Sequence, residues 1–314
     1  MLDDNPSLND GAEQRLFSII IVNYNFGRFL EDAILSVIAQ NMSNKVELII
    51  CDAASSDSSV DVIKKYANGL PPNIRIEDWI NSQAHSGIKY NSQLITWWCS
   101  EKDGGQSAAF NKGFSHARGR FLVWLNADDI LTHGALKAIV REIEKHPKCE
   151  WFIGSSIYAD ADLKVTRCFC AHRFSVLRAR WGFLSAGGPS SFFTKRLLDE
   201  VGGFDEALHY VMDTDLWNKF YFQCGAKYRR TRHNIFAYRQ HEASKMSGAD
   251  AHTTERALEN RRRAKKESEV LSQRYGRRGG ISYKLAHLLS LSVIDHVVAW
   301  WRNLNWRGRY ATEI

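Results

Sequence analysis

Short apolar runs that stop abruptly at polar residues, each leading into a helical pattern, recur through the first half of this 314-residue chain. Phe17 to Asn23 is the first, rich in β-branched residues and closed by Asn23-Tyr24-Asn25. Phe29, Ala33, Ile34, Val37 and Ile38 follow at helical spacing. Val46 to Cys51 is the second run, after which Asp52 to Ser59 is a loop of small polar residues. Val60, Ile63 and Tyr66 then fall on one helical face, with Asp57 or Ser58 available as the cap. Strands without polar alternation are buried on both faces, so helices must cover both sides of the sheet. The expected fold class is therefore α/β, a mostly parallel, Rossmann-like, doubly wound sheet flanked by helices.

That topology says where chemistry belongs, because ligands of such sheets bind beyond the carboxyl ends of the strands. Leu94 to Cys99 and Phe121 to Leu125 complete the strand set, followed by helices over Gln106 to Ala117 and Leu136 to His146 and a strand over Trp151 to Ile157. Asn23, Tyr24, Asp52, Asp57, Asp103, Asp128 and Asp129 all fall just after a predicted strand. A carboxylate pair there suits a divalent cation that neutralises a leaving diphosphate, and it would equally cap the next helix. Further on, Ser190 to Phe193 is a strand, Gly202-Gly203-Phe204-Asp205 a turn and Asp213 to Gln223 a helix. Asp213 and Asp215 open that helix, where they fit both an N-terminal cap and a general base.

Composition narrows the class. With 44% apolar and 25% charged residues the chain can bury a large core. None of the six cysteines forms a C-x-x-C pair, and Met1 to Gln14 is polar and acidic, unlike a secretory signal peptide. Free thiols in a reducing cytosol are expected. From Ala251 onward there are 13 Lys and Arg against 6 Asp and Glu, which is the whole net charge of +7. The remainder is neutral, so a nucleic-acid-binding reading rests only on the tail, which carries no recognised module, and no nucleic-acid partner is expected.

Taken in order, these segments resemble the family-2 glycosyltransferases. The pieces are Ser18-Ile-Ile-Ile-Val-Asn-Tyr-Asn25, Ile49-Ile-Cys-Asp-Ala-Ala-Ser-Ser-Asp57, Ser100-Glu-Lys-Asp-Gly-Gly-Gln-Ser-Ala-Ala-Phe-Asn-Lys-Gly113, Gly119 to Asp129, Gly202-Gly-Phe-Asp-Glu206 and Asp213-Thr-Asp-Leu-Trp217. The resemblance covers Phe17 to Met246 and implies the GT-A fold and an inverting sugar transfer from a nucleotide donor of UDP, GDP or dTDP type. It further implies that Asn23 binds the donor, with Tyr24 near the base, Asp52 at base or ribose, and Asp103 at the nucleotide end. Asp128 would lie at ribose and metal, Asp129 would be the direct ligand of Mn2+ or Mg2+, and His241 could approach the metal or diphosphate. Asp213 would be the catalytic base and Asp215 its support. Arg239 and Lys245 could help neutralise phosphate, and Phe183 to Ser191 would wall the acceptor side. The setting implied is bacterial cell-surface polysaccharide assembly on a saccharide or lipid-linked acceptor.

Three departures accompany the resemblance. Asp52 is followed by Ala53 rather than a second acid, Asn126 replaces the usual first Asp of the metal motif, and the Gln-x-x-Arg-Trp element of processive members is absent. The last favours one sugar per acceptor visit. The expected domains are a flexible N-terminus (1–15), a catalytic domain (16–248, with a nucleotide-sugar half at 16–160 and an acceptor half at 161–248) and a basic helical C-terminal extension (249–314). Leu285 to Trp301 is too short and too polar for a membrane span. Trp300, Trp301 and Trp306 with Arg302, Arg307 and Arg309 fit an interfacial helix on the inner membrane face, and also a helix packed on the domain. Competing activities are a non-catalytic donor-binding partner and a sugar nucleotidyltransferase. The latter needs a Gly-rich basic segment that Asn23-Tyr-Asn-Phe-Gly-Arg28 does not supply.

Overall fold

The computed structural model describes residues 15–75, 94–176, 179, 188–244, 255–276 and 293–314. Residues 1–14, the Glu77–Ser92 loop, most of the Phe183–Ser191 wall, Lys245 and the 285–292 part of the tail lie outside the described residues.

Strands β1 (Phe17–Asn23), β2 (Val46–Asp52), β3 (Ile95–Ser100) and β4 (Phe121–Asn126) form the parallel part of the sheet, in the order β3-β2-β1-β4. Alternate residues of β1 divide between two cores, as the period of a strand requires. Ile19 and Ile21 pack with α1 (Gly27–Ile38), α2 (Ser59–Tyr66) and α4 (Ala135–Lys145) on one face. Ile20 and Val22 pack with α3 (Gln106–Ser115), α5 (Lys195–Glu200) and α6 (Met212–Phe222) on the other. Both faces are covered, as the uninterrupted apolar runs anticipate.

Beyond β4 the sheet is mixed. Strand β8 (Ser191–Thr194) inserts antiparallel between β4 and β6 (Trp151–Ala159), and β9 (Arg229–Arg239) runs parallel to β6. Short β5 (Ile130–Leu131) pairs with β9 and β7 (Val165–Phe169) with β6. The β5–β9 pairing holds the turn after β4, where Asp128 and Asp129 stand.

Helix α6 rests on a layer of indoles. Trp217 stacks on Trp124 of β4 at 5.4 Å and on Trp151 of β6 at 5.2 Å between centroids. The two site-bearing elements, β4 and α6, are thereby packed through one aromatic contact. Gly202 and Gly203 have φ of 72° and 75°, a region that glycine occupies without strain. A Cβ on Gly203 would meet Asn111 of α3 at 2.7 Å, and Asn111 holds both Phe204 N–H (2.9 Å) and Phe204 C=O (3.0 Å).

The extension folds back onto the body. Helix α7 (Glu255–Tyr275) places Leu271, fully buried, in the α6-side core. Helix α8 (Val293–Trp306) docks through buried Asp295, which pairs with Arg230 and Arg232. Arg302, expected at a lipid surface, turns inward to Asn234 and the Arg232 carbonyl. Among the described residues no helix is long and apolar enough to cross a membrane, and all six cysteines are free.

Candidate active site

A cavity of about 860 Å³ opens at the carboxyl ends of β1, β2 and β4. Asn23, Tyr24, Lys102, Asp103 and Asp128 line it, with Tyr238 from β9, Tyr210 from the segment before α6, and Asn260 from α7. Three chain segments that carry expected donor residues thus converge on one space.

Asp52 does not line this cavity. It is fully buried at the end of β2 and accepts from Asn23 Nδ2 (2.6 Å), Ser55 N–H (3.0 Å), Ser55 Oγ (2.5 Å) and Ser100 Oγ (2.6 Å). A carboxylate that accepts four such bonds is fully satisfied. Asp52 therefore locks the ends of β1, β2 and β3 together, and small Ala53 and Ala54 face the cavity instead. Asp103 accepts from Gly105 N–H at 2.8 Å, and Gly105, with φ of 109°, starts α3. Asp57 accepts from Gly27 N–H at 2.8 Å and so ties α1 to the second loop.

The acidic pair after β4 divides its labour. Asp128 reaches the cavity, and its Oδ2 lies 3.1 Å from His241 Nε2. Asp129, expected as the direct metal ligand, points the other way. It is fully buried, and its oxygens accept from Asn126 Nδ2 (2.8 Å) and Arg239 N–H (3.0 Å). Burial, and then the Asp128 charge, push its carboxyl well above the usual range. Asn126 Oδ1 is in turn occupied by Gln106 Nε2 at 2.9 Å.

His241 is held by its surroundings. Its ring packs against Phe29 at 4.5 Å and Phe26 at 5.4 Å, and Ala243 N–H donates to Nδ1 at 3.3 Å. With Nδ1 accepting, the proton sits on Nε2 and points at Asp128. In this arrangement His241 orients the Asp128 carboxylate. Arg239 also turns away from the cavity. It is buried, pairs with Asp32 at 2.8 Å and lies over Phe29.

Among the described residues no cluster of three or more His, Cys, Asp or Glu is preassembled for a metal. The donors present still fit a hard divalent cation, because such ions are commonly held by one or two carboxylates plus substrate phosphates and water. Asp128 is the cavity-facing carboxylate, with His241 beside it.

Asp213 lies in the first turn of α6, partly exposed but outside the lining of this cavity. Thr214 donates to its Oδ1 through N–H at 2.6 Å, and burial pushes its carboxyl above the ordinary value. Asp215, expected to support it, is fully buried and bound instead to α7: Arg274 Nη1 and Tyr275 O–H each donate to its Oδ1 at 2.8 Å. Burial and that hydrogen bond raise the Tyr275 phenol, which stays a donor. Sequence reasoning missed Lys102, Gln106, Tyr210 and Asn260. Lys102 and Gln106 lay inside a motif already marked, whereas Asn260 sits in a helix that offered only a charge run.

Comparison with known proteins agrees with this architecture. The sequence profile described as Glycosyl transferase family 2 matches residues 18–87 and 80–167. A mannosyltransferase of Pyrobaculum calidifontis, solved in complex with GDP-Man and Mn2+, shares the fold at a TM-score of 0.51 and 15% identity, over 92% of this chain and 87% of that one. An uncharacterized glycosyltransferase of Nostoc sp. is 35% identical over 123 residues, 39% of this chain and 31% of that protein. The minor teichoic acid biosynthesis protein GgaB of Bacillus subtilis is 28% identical over 140 residues, 44% of this chain and 13% of that protein. This chain thus spans under a third of the length of both curated relatives. Residues 18–167, just under half of the chain, resemble glycosyl transferase family 2, and the chain has the GT-A fold.

Proposed function

We propose that the protein transfers a sugar from a nucleoside diphosphate donor to an acceptor hydroxyl with inversion at the anomeric carbon. The observation that carries this is the convergence of Tyr24, Asp103 and Asp128 on one cavity beyond the parallel strands. Tyr24, 62% exposed on the cavity wall, offers a ring for the base to stack on. Asp103 accepts from the nucleotide end, and Lys102 supplies a cation for the diphosphate. Asp128, oriented by His241, would hold a divalent cation (Mn2+ or Mg2+). When bound, that cation neutralises charge on the departing diphosphate.

On the acceptor side, Asp213 takes the proton of the attacking hydroxyl. The freed oxygen forms a bond to the anomeric carbon from the face opposite the diphosphate. The bond from that carbon to the phosphate oxygen breaks, and the nucleoside diphosphate leaves with its electron pair. The raised Asp213 carboxyl suits this role, since a general base works best with a pKa near the working pH.

The setting proposed is bacterial cell-surface polysaccharide assembly at the cytoplasmic side of the membrane. The likeness to a teichoic acid biosynthesis protein supports it. So does the outward face of α8, where Ile294, Val297, Trp300, Trp301 and Leu304 are all exposed, a pattern suited to peripheral lipid contact.

A panel of UDP-, GDP- and dTDP-sugars, assayed for nucleoside diphosphate release with saccharide acceptors, tests the activity. Release with one donor, and a product whose anomeric proton coupling reports inversion, is expected. Release of pyrophosphate from a nucleoside triphosphate and a sugar phosphate would instead assign a nucleotidyltransferase.

A further inference from the structure

Helix α6 begins without a cap of its own: Val211 is at the N-cap, and no side chain there accepts a hydrogen bond. A carboxylate from far along the chain serves this segment. Glu267 of α7 accepts from the N–H of His209 (3.1 Å), Tyr210 (2.7 Å) and Val211 (3.2 Å). A charged acceptor shared by three consecutive backbone donors, at the positive end of a helix, is a strong and directional contact.

The grip extends to either side of Glu267. Asn260 Oδ1 accepts from the Tyr210 hydroxyl at 2.7 Å, and both residues line the cavity. Arg274 donates to Asp215 and to Asp205. Asn260, Glu267 and Arg274 recur at heptad spacing and so share one face of α7, with buried Leu271 between the last two. That single polar stripe holds the segment from His209 to Asp215 at three points. Tyr210 is fixed at both ends, its N–H by Glu267 and its hydroxyl by Asn260.

We infer that Glu267 is a positioning residue for sugar transfer, and that α7 forms part of the acceptor site. It sets the Tyr210 ring as a platform for an acceptor sugar, three residues before the proposed base Asp213. An aromatic ring with a polar tip suits a saccharide, which presents apolar C–H faces and hydroxyl edges. The inference rests on the glycosyl-transfer function proposed above. It predicts a separation of effects, because Asn23, Tyr24 and Asp128 follow strands β1 and β4 and make no contact with Glu267 in the hydrogen bonds described.

The variants are E267Q, which keeps the shape but turns an amide toward backbone donors, E267D, which keeps the charge, and Y210F, which cuts only the link to Asn260. Three readouts are needed: nucleotide affinity with manganese, donor hydrolysis by water, and kcat and KM for a saccharide acceptor. In E267Q, kcat for transfer should fall about 10- to 100-fold, the loss that a misplaced reacting group produces. Nucleotide affinity should stay within about twofold, donor hydrolysis should persist, and E267D should recover part of kcat. Y210F should raise the acceptor KM. Wild-type transfer by E267Q would overturn the inference. Parallel loss of nucleotide binding, hydrolysis and transfer would overturn it too, since general destabilisation behaves that way. A wild-type protein that binds no nucleotide would remove the glycosyl-transfer function and this inference with it.

Discussion

The two walls of the cavity are built differently. On the donor side, Asn23, Asp52, Ser55 and Ser100 bond to one another across the ends of three adjacent strands. That wall is complete within the sheet. On the acceptor side, the segment leading into α6 has no internal cap and depends on Glu267 and Asn260 of the C-terminal extension. One wall is held by the ends of the sheet's own strands, whereas the other is held by a helix outside the sheet. Nucleotide binding and sugar transfer should therefore be separable by mutation.

The largest expected effect is that of D213N. Loss of a general base should lower kcat by about 10²- to 10⁴-fold while nucleotide affinity, measured by titration, is unchanged. The pH profile sharpens the comparison. The base must be ionised to act, and burial raises its carboxyl. The wild-type rate should thus climb with pH through a value above the ordinary aspartate range, and then level off. An acid limb at the ordinary value would contradict the assigned role.

D129A should act mainly on stability. It leaves Arg239 N–H and Asn126 Nδ2 without their buried acceptor, which should cost about 2–4 kcal/mol in urea unfolding. D128A leaves one buried partner, His241 Nε2, instead of two and should cost less, about 1 kcal/mol. Equal destabilisation by the two would erase the distinction between them.

The smallest effect is expected at α8. W300A combined with W301A removes two exposed rings and should change stability by less than about 0.5 kcal/mol, with transfer to a soluble acceptor unchanged. Co-sedimentation with anionic vesicles should weaken, and retention of vesicle binding would remove α8 as the lipid contact.

The donor half was legible because its strands are continuous apolar runs that end in polar residues, and α/β topology sends such ends to one edge. Asn23, Tyr24, Asp103 and Asp128 could be marked on that basis. Which of Asp128 and Asp129 faces the cavity was not legible. That depends on the β5–β9 pairing, which joins residues more than a hundred positions apart. The insertion of β8 between β4 and β6 was hidden as well, because it too rests on pairings far apart in the chain. The role of α7 escaped because its inward stripe is polar. Asn260, Glu267 and Arg274 recur with helical spacing, but hydrophobic periodicity registers only apolar residues. The structural role of Asp215 is not legible either, because its partners, Arg274 and Tyr275, lie near the end of that helix.

The donor site is tested most directly by calorimetric titration of UDP, GDP and dTDP, with and without manganese, into wild type and D128A. One nucleotide should bind wild type with an affinity that manganese enhances, and D128A should lose that enhancement while remaining folded. Manganese-dependent binding that survives intact in D128A, or no nucleotide binding by wild type at all, would contradict the assignment.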